Sequence, residues 1–96
     1  MAELTMHEQD IINAICLDQA RQYNVNPEDV EVELVYDDDD GFSAEVGIRF
    51  QIRVLSSFDM IQAIRSYIKD VLQQDPYAAG IKLLLDKEEG IIASIQ

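Results

Sequence analysis

The chain has 96 residues and a mass of 10.9 kDa, and 48% of it is apolar, enough for one domain with its own core and no room for a second. Nineteen acids against seven bases give a net charge of −12, which argues against direct binding of nucleic acid or of anionic membranes, because attraction to phosphate would have the wrong sign. The apolar fraction is also too high for a chain kept unfolded by self-repulsion.

Cys16 is the single cysteine, so no intramolecular disulfide closes and the core must hold the fold, as in a reducing compartment. The residues from Met1 to Thr5 lack the basic start and apolar run of a secretory signal, and no apolar stretch is long enough to cross a bilayer. A cytoplasmic location is expected. Cys16 lies beside Ile15 with no close cationic neighbour, which reads as a small core residue rather than a reactive thiol.

Thr5 and Glu8 have the spacing of a capping box, predicting a helix from near Met6. Ile11, Ile12, Ile15, Cys16 and Tyr23 form its apolar stripe. Asn24 and Asn26-Pro27 end it near Tyr23. From Val30 the period changes to two: Val30, Val32, Leu34 and Tyr36 alternate with Glu31, Glu33 and Val35, a half-buried strand with a mainly acidic outer face. The segment Asp37-Asp38-Asp39-Asp40-Gly41 predicts a turn, since Asp-Gly tolerates positive φ.

The next alternation, Phe42, Ala44, Val46, Ile48, Phe50, Ile52 and Val54, is about twice the usual length of a strand. A bulge or tight turn is expected at Gly47 or in the Arg49-Phe50 region, with one long bent strand as the alternative. If the alternation holds throughout, Arg49 and Arg53 share the opposite face and pair with Glu31 and Glu33. Ser56-Ser57 and Asp59 then cap a second helix striped by Phe58, Ile61, Ile64, Ile68, Val71 and Leu72. Asp75-Pro76 closes it. After Gly80, residues 81–85 and 91–95 read as two strands joined by Lys87-Glu88-Glu89-Gly90.

The expected fold is an α+β domain over residues 1–96, in the order α-β-β(-β)-α-β-β. It has an antiparallel sheet of four to five strands with both helices packed on one face. Several strands carry apolar residues on both faces, Leu83-Leu84-Leu85 and Ile91-Ile92 especially, which points to a homodimer.

Charge is the most unusual feature. Residues 28–40 hold eight acids and no base. Such a run can simply be a solvated face that keeps a sheet edge from pairing with other chains. Read functionally, Glu31, Glu33, Asp37, Asp38, Asp39 and Asp40 form a recognition surface for a basic protein partner. A cation loop fits less well: with Gly41 at position six of an EF-hand loop, Tyr36 and Gly47 occupy the first and last ligand positions.

Catalytic patterns are missing. The single histidine, His7, and Cys16 lie about 13 Å apart along one helix, too far for a nucleophile and its base. No His/Cys cluster suits a metal, and no glycine-rich phosphate loop or nucleophile elbow is present. No catalytic residue, cofactor or metal ligand is assigned. The tyrosines and phenylalanines mostly keep the spacing of the buried set and read as core rather than as stacking platforms.

The segments Leu4-Thr5, Glu8-Gln9-Asp10-Ile11-Ile12-Asn13-Ala14-Ile15-Cys16, Val30-Glu31-Val32-Glu33-Leu34-Val35-Tyr36, Gly41-Phe42-Ser43-Ala44-Glu45-Val46 and Glu88-Glu89-Gly90-Ile91-Ile92-Ala93 carry a resemblance across nearly the whole chain. It resembles the small acidic YxcD-like family of Bacillus-type bacteria, a domain of unknown function. The resemblance implies a bacterial cytoplasmic protein and carries over no active-site residue. Relatives place a tight polar turn where this chain has Ile48-Arg49-Phe50-Gln51, a departure that bears on the expected hairpin. The leading functional expectation is a non-enzymatic interaction or regulatory module. A small carboxylate-based enzyme and an acidic mimic of nucleic acid that binds a DNA-binding protein are the alternatives.

Overall fold

In the computed structural model, which describes residues 4–77 and 80–96, the elements are β1 (Leu4–Met6), α1 (Glu8–Tyr23), β2 (Glu31–Asp37), β3 (Gly41–Ile48), β4 (Gln51–Ser56), α2 (Ser57–Asp70), β5 (Ile81–Asp86) and β6 (Gly90–Ile95). A short 3-10 turn, Pro27–Asp29, leads into β2. The α+β class is as expected, but the strands form two three-stranded antiparallel sheets instead of one, ordered β1-β6-β5 and β2-β3-β4. The added strand is β1, which sequence reading took for a helix cap. Leu4 pairs with Ile95 and Met6 with Ala93, so β6 is filled on both edges by β1 and β5, just as β3 is filled by β2 and β4.

Both helices pack on the sheets and on each other: α1 meets β2 and β6, and α2 meets β3, β4 and β5. Ile11, Ala14 and Ile15 of α1, Met60, Ala63 and Ile64 of α2, Ala44 and Val46 of β3, and Ala93 of β6 are sealed from solvent. Alanines at four of these nine positions let backbones approach closely. In α2 the buried stripe is Met60, Ala63, Ile64 and Ile68. The predicted members Phe58 and Val71 are exposed: at 3.6 residues per turn Phe58 lies nearly opposite Met60 around the axis, and Val71 follows the last helical residue, Asp70.

α1 begins at Glu8, with His7 at the N-cap and the Asp10 carboxylate accepting the His7 amide at 3.2 Å. The Thr5–Glu8 box is not formed, since Thr5 is in β1 and Glu8 reaches across to accept the amide of Ile91 in β6 at 3.1 Å. α1 ends on Asn24 in left-handed geometry, φ 56°. At α2 the predicted cap holds: Ser56 Oγ accepts the Asp59 amide at 3.2 Å, and Asp59 accepts the Ser56 amide at 3.1 Å.

Two hairpins share one design. Asp37 pairs with Gly41 and Asp86 with Gly90, each pair closing three turn residues, and the glycines adopt φ 78° and 79°. In each turn the leading aspartate accepts turn amides: Asp37 that of Asp39 at 2.7 Å, Asp86 those of Glu88 and Glu89 at 2.9 and 2.8 Å.

The β3–β4 hairpin is built differently. Ile48 pairs with Gln51, so Arg49 and Phe50 make a two-residue turn, both with positive φ of 53° and 66°. The expected break is thus in the Arg49-Phe50 region, and two turn residues invert the alternation that follows. Ile52 and Val54 emerge on the outer face, 75% and 67% exposed, while Arg53 and Leu55 take the inner one. Arg53 therefore does not pair with Glu31 or Glu33; its guanidinium lies 4.4 Å from the centre of the Tyr23 ring on α1. Phe50, Phe58 and Tyr77 are solvent-facing, against the core reading of the aromatics. Among the described residues, no helix is long and apolar enough to cross a membrane.

Candidate functional site

The helices cover only the inner face of the β2-β3-β4 sheet. Along β2, Glu31, Glu33, Val35 and Asp37 alternate with half-buried Val32 and Leu34, so these four point outward. The register aligns them with β3 and β4 in rows: Glu31, Gly47 and Ile52, then Glu33, Glu45 and Val54. The outer face is thus acidic along β2 and the centre of β3 and apolar along β4.

Gly47 forms the low point. Two open hollows of about 880 and 210 Å³ meet there, sharing Glu31, Gly47 and Ile52. The larger extends to Glu28 and Asp29 on one side and to Arg49 and Phe50 on the other, and the smaller includes Glu33 and Glu45. Across Gly47, the acids on one side face a mixed wall of Arg49, Phe50, Gln51 and Ile52 on the other.

This arrangement divides the residues expected to form one acidic surface. Glu31 and Glu33 line the hollow, whereas Asp38, Asp39 and Asp40 occupy the turn at the other end of β2, about 20 Å from Glu31 at the usual rise per strand residue. Asp37 shares the outward parity but lines neither hollow, and its carboxylate is engaged by the Asp39 amide. Among the described residues, no three His, Cys, Asp or Glu side chains converge as metal ligands.

Four residues of this surface escaped sequence reading. Glu45 was legible, because the inward alternation of Ala44 and Val46 turns it outward and the Asp-Gly turn sets it opposite Glu33. Gly47 was read as a break, and Ile52 and Val54 as buried; their places follow only once the two-residue turn is set at Arg49-Phe50.

Cys16 lines a separate groove of about 510 Å³ between α1, Pro27 and α2. Its thiol donates to the Val30 carbonyl at 3.6 Å, and burial pushes its pKa up, which keeps it protonated and unreactive near neutrality.

Residues 1–88 match the family model described as "Protein of unknown function (DUF2653)". The chain belongs to the DUF2653 family. It is 31% identical over 93 residues to the uncharacterised protein YxcD of Bacillus subtilis (strain 168), covering 96% of this chain and 91% of that relative. No solved structure matches this DUF2653 chain.

Proposed function

We propose that this DUF2653 protein is a non-enzymatic interaction module whose outer β2-β3-β4 face receives a basic, partly apolar segment of another protein. The observation that carries the reading is the juxtaposition, on one open sheet face, of exposed Glu31, Glu33 and Glu45 with exposed Ile52 and Val54. An extended segment alternating Lys or Arg with aliphatic residues matches it, its cations over β2 and β3 and its apolar side chains against β4.

The sheet also departs from what stability alone favours. Glu33 and Glu45 stand directly opposite each other, a destabilising arrangement for like charges. Arg49 and Phe50 hold left-handed geometry that costs about 1–2 kcal/mol per non-glycine residue. Departures of this kind gather at functional surfaces. An enzyme built on these carboxylates would need them desolvated, and they are exposed instead. A nucleic-acid mimic accounts for the carboxylates but leaves the aliphatic half of the face without a role.

A synthetic peptide of alternating lysine and valine tests the reading by fluorescence anisotropy. Binding is expected to weaken with salt and to fall about tenfold in E31Q/E33Q/E45Q. The charge-matched variant D70N/D75N/E88Q, altered away from this face, should bind as the native chain does. Equal loss in both variants would reduce the effect to net charge and overturn the proposal.

A further inference from the structure

We infer that β4 pairs antiparallel with β4 of a second copy of this chain, joining two three-stranded sheets into one of six strands. The inference stands on the free edge of β4 and does not require the basic partner proposed above.

A two-residue turn closes on a hydrogen-bonded pair, here Ile48 and Gln51, and bonded and non-bonded pairs alternate from there. Ile52 and Val54 fall at non-bonded positions, so their amides and carbonyls point away from β3 toward the open edge. Their side chains are the exposed aliphatic ones, at 75% and 67%. An edge with unpaired backbone groups and aliphatic side chains is a template for another strand, and proteins ordinarily protect such an edge with charge. The opposite edge of this sheet has that protection: β2 carries Glu31, Glu33 and Asp37. β4 has Arg53 alone, and that side chain is turned inward over Tyr23.

Charge identifies the occupant as a second copy. Two chains of net charge −12 repel wherever acids meet, and residues 46–58, which include all of β4, are the longest stretch of the sequence without an acid. A two-fold axis at Arg53 sets Ile52 of each copy opposite Val54 of the other, and the two residue pairs exchange four main-chain hydrogen bonds; it also sets the two Arg53 residues opposite each other on the inner face, a like-charge cost lessened because each guanidinium lies over Tyr23 of its own chain. The resulting outer face has a central aliphatic strip flanked on both sides by the Glu31, Glu33 and Glu45 rows. The other candidate edge, β5, has exposed Leu84 and Leu85 but is interrupted by Lys82 and Asp86.

Sedimentation equilibrium of the full chain, with amide hydrogen exchange at low and high protein concentration, tests this. The native chain is expected to dimerise more strongly as salt rises, the opposite sign to binding of the basic peptide, so the two proposals fail separately. I52K/V54K alters exposed positions only and should weaken the dimer at least about tenfold, while L85K leaves it intact. The amides of Ile52 and Val54 should gain protection with concentration. A native chain that stays monomeric, a dimer that survives I52K/V54K, or a dimer in which these two amides stay unprotected would overturn the inference.

Discussion

Glu33 on β2 stands directly opposite Glu45 on β3, both exposed on the sheet face that no helix covers. Like charges in this position cost stability by about 0.2–1 kcal/mol, so E45K should raise the unfolding free energy by roughly 0.5 kcal/mol while weakening binding of the lysine–valine peptide. Chemical denaturation and anisotropy on one sample check both halves. Stability and binding that fell together would mean that Glu45 supports the fold.

The Arg49-Phe50 turn makes a second trade-off. Replacing it with Asn-Gly, the pair suited to two positive φ angles, should stabilise the protein by about 1–2 kcal/mol and raise Tm by several degrees. Thermal unfolding followed by circular dichroism measures it. No gain would mean that contacts of the native side chains offset the backbone cost.

Gly41 and Gly90 have nearly the same φ yet differ in what surrounds them. Nothing lies within 4 Å of a Cβ placed at Gly41, whereas one at Gly90 would collide with the Glu8 carboxylate that holds the Ile91 amide. G41A should cost about 1–2 kcal/mol from conformation alone, and G90A a further 1–2 kcal/mol from loss of the Glu8 bond to a buried amide. In an E8A background the extra cost at Gly90 should disappear, which a double-mutant cycle reads directly.

Asp86 connects the β5–β6 turn to pH. The amides of Glu89 and Glu88 hold its carboxyl below its ordinary value of about 3.8. Because the folded pKa is lowered, the stabilisation is present above the ordinary value and is lost as pH falls through the depressed one. D86N should therefore lose less stability than the native chain on acidification below about pH 4, as measured by urea unfolding across that range.

Much of this architecture is written in local signals. The Ser56–Asp59 box, the left-handed Asn24 terminus and the two Asp-to-Gly turns each depend on side chains within a few residues of the backbone they serve, and all four lie where the sequence places them. What escaped is non-local. β1 is three residues whose identity as a strand comes entirely from pairing with β6, more than eighty residues away. At residues 42–54 the unbroken alternation concealed a turn made by Arg and Phe, residues that seldom adopt positive φ, and this inverted the faces of Ile52, Arg53 and Val54. Half of the candidate surface depends on that inversion. Glu31 and Glu33 were therefore visible as an acidic row, while their aliphatic counterpart was assigned to the core.

The outer face of β2-β3-β4 is proposed to bind a basic, partly apolar segment. Titrating isotopically labelled protein with the lysine–valine peptide and following amide shifts tests it residue by residue. Saturable shifts are expected to centre on Glu31, Glu33, Glu45, Gly47 and Ile52, with little change at Asp38, Asp39 and Asp40. Shifts centred on the Asp37–Asp40 turn, or spread over every acidic position in proportion to charge, would contradict it.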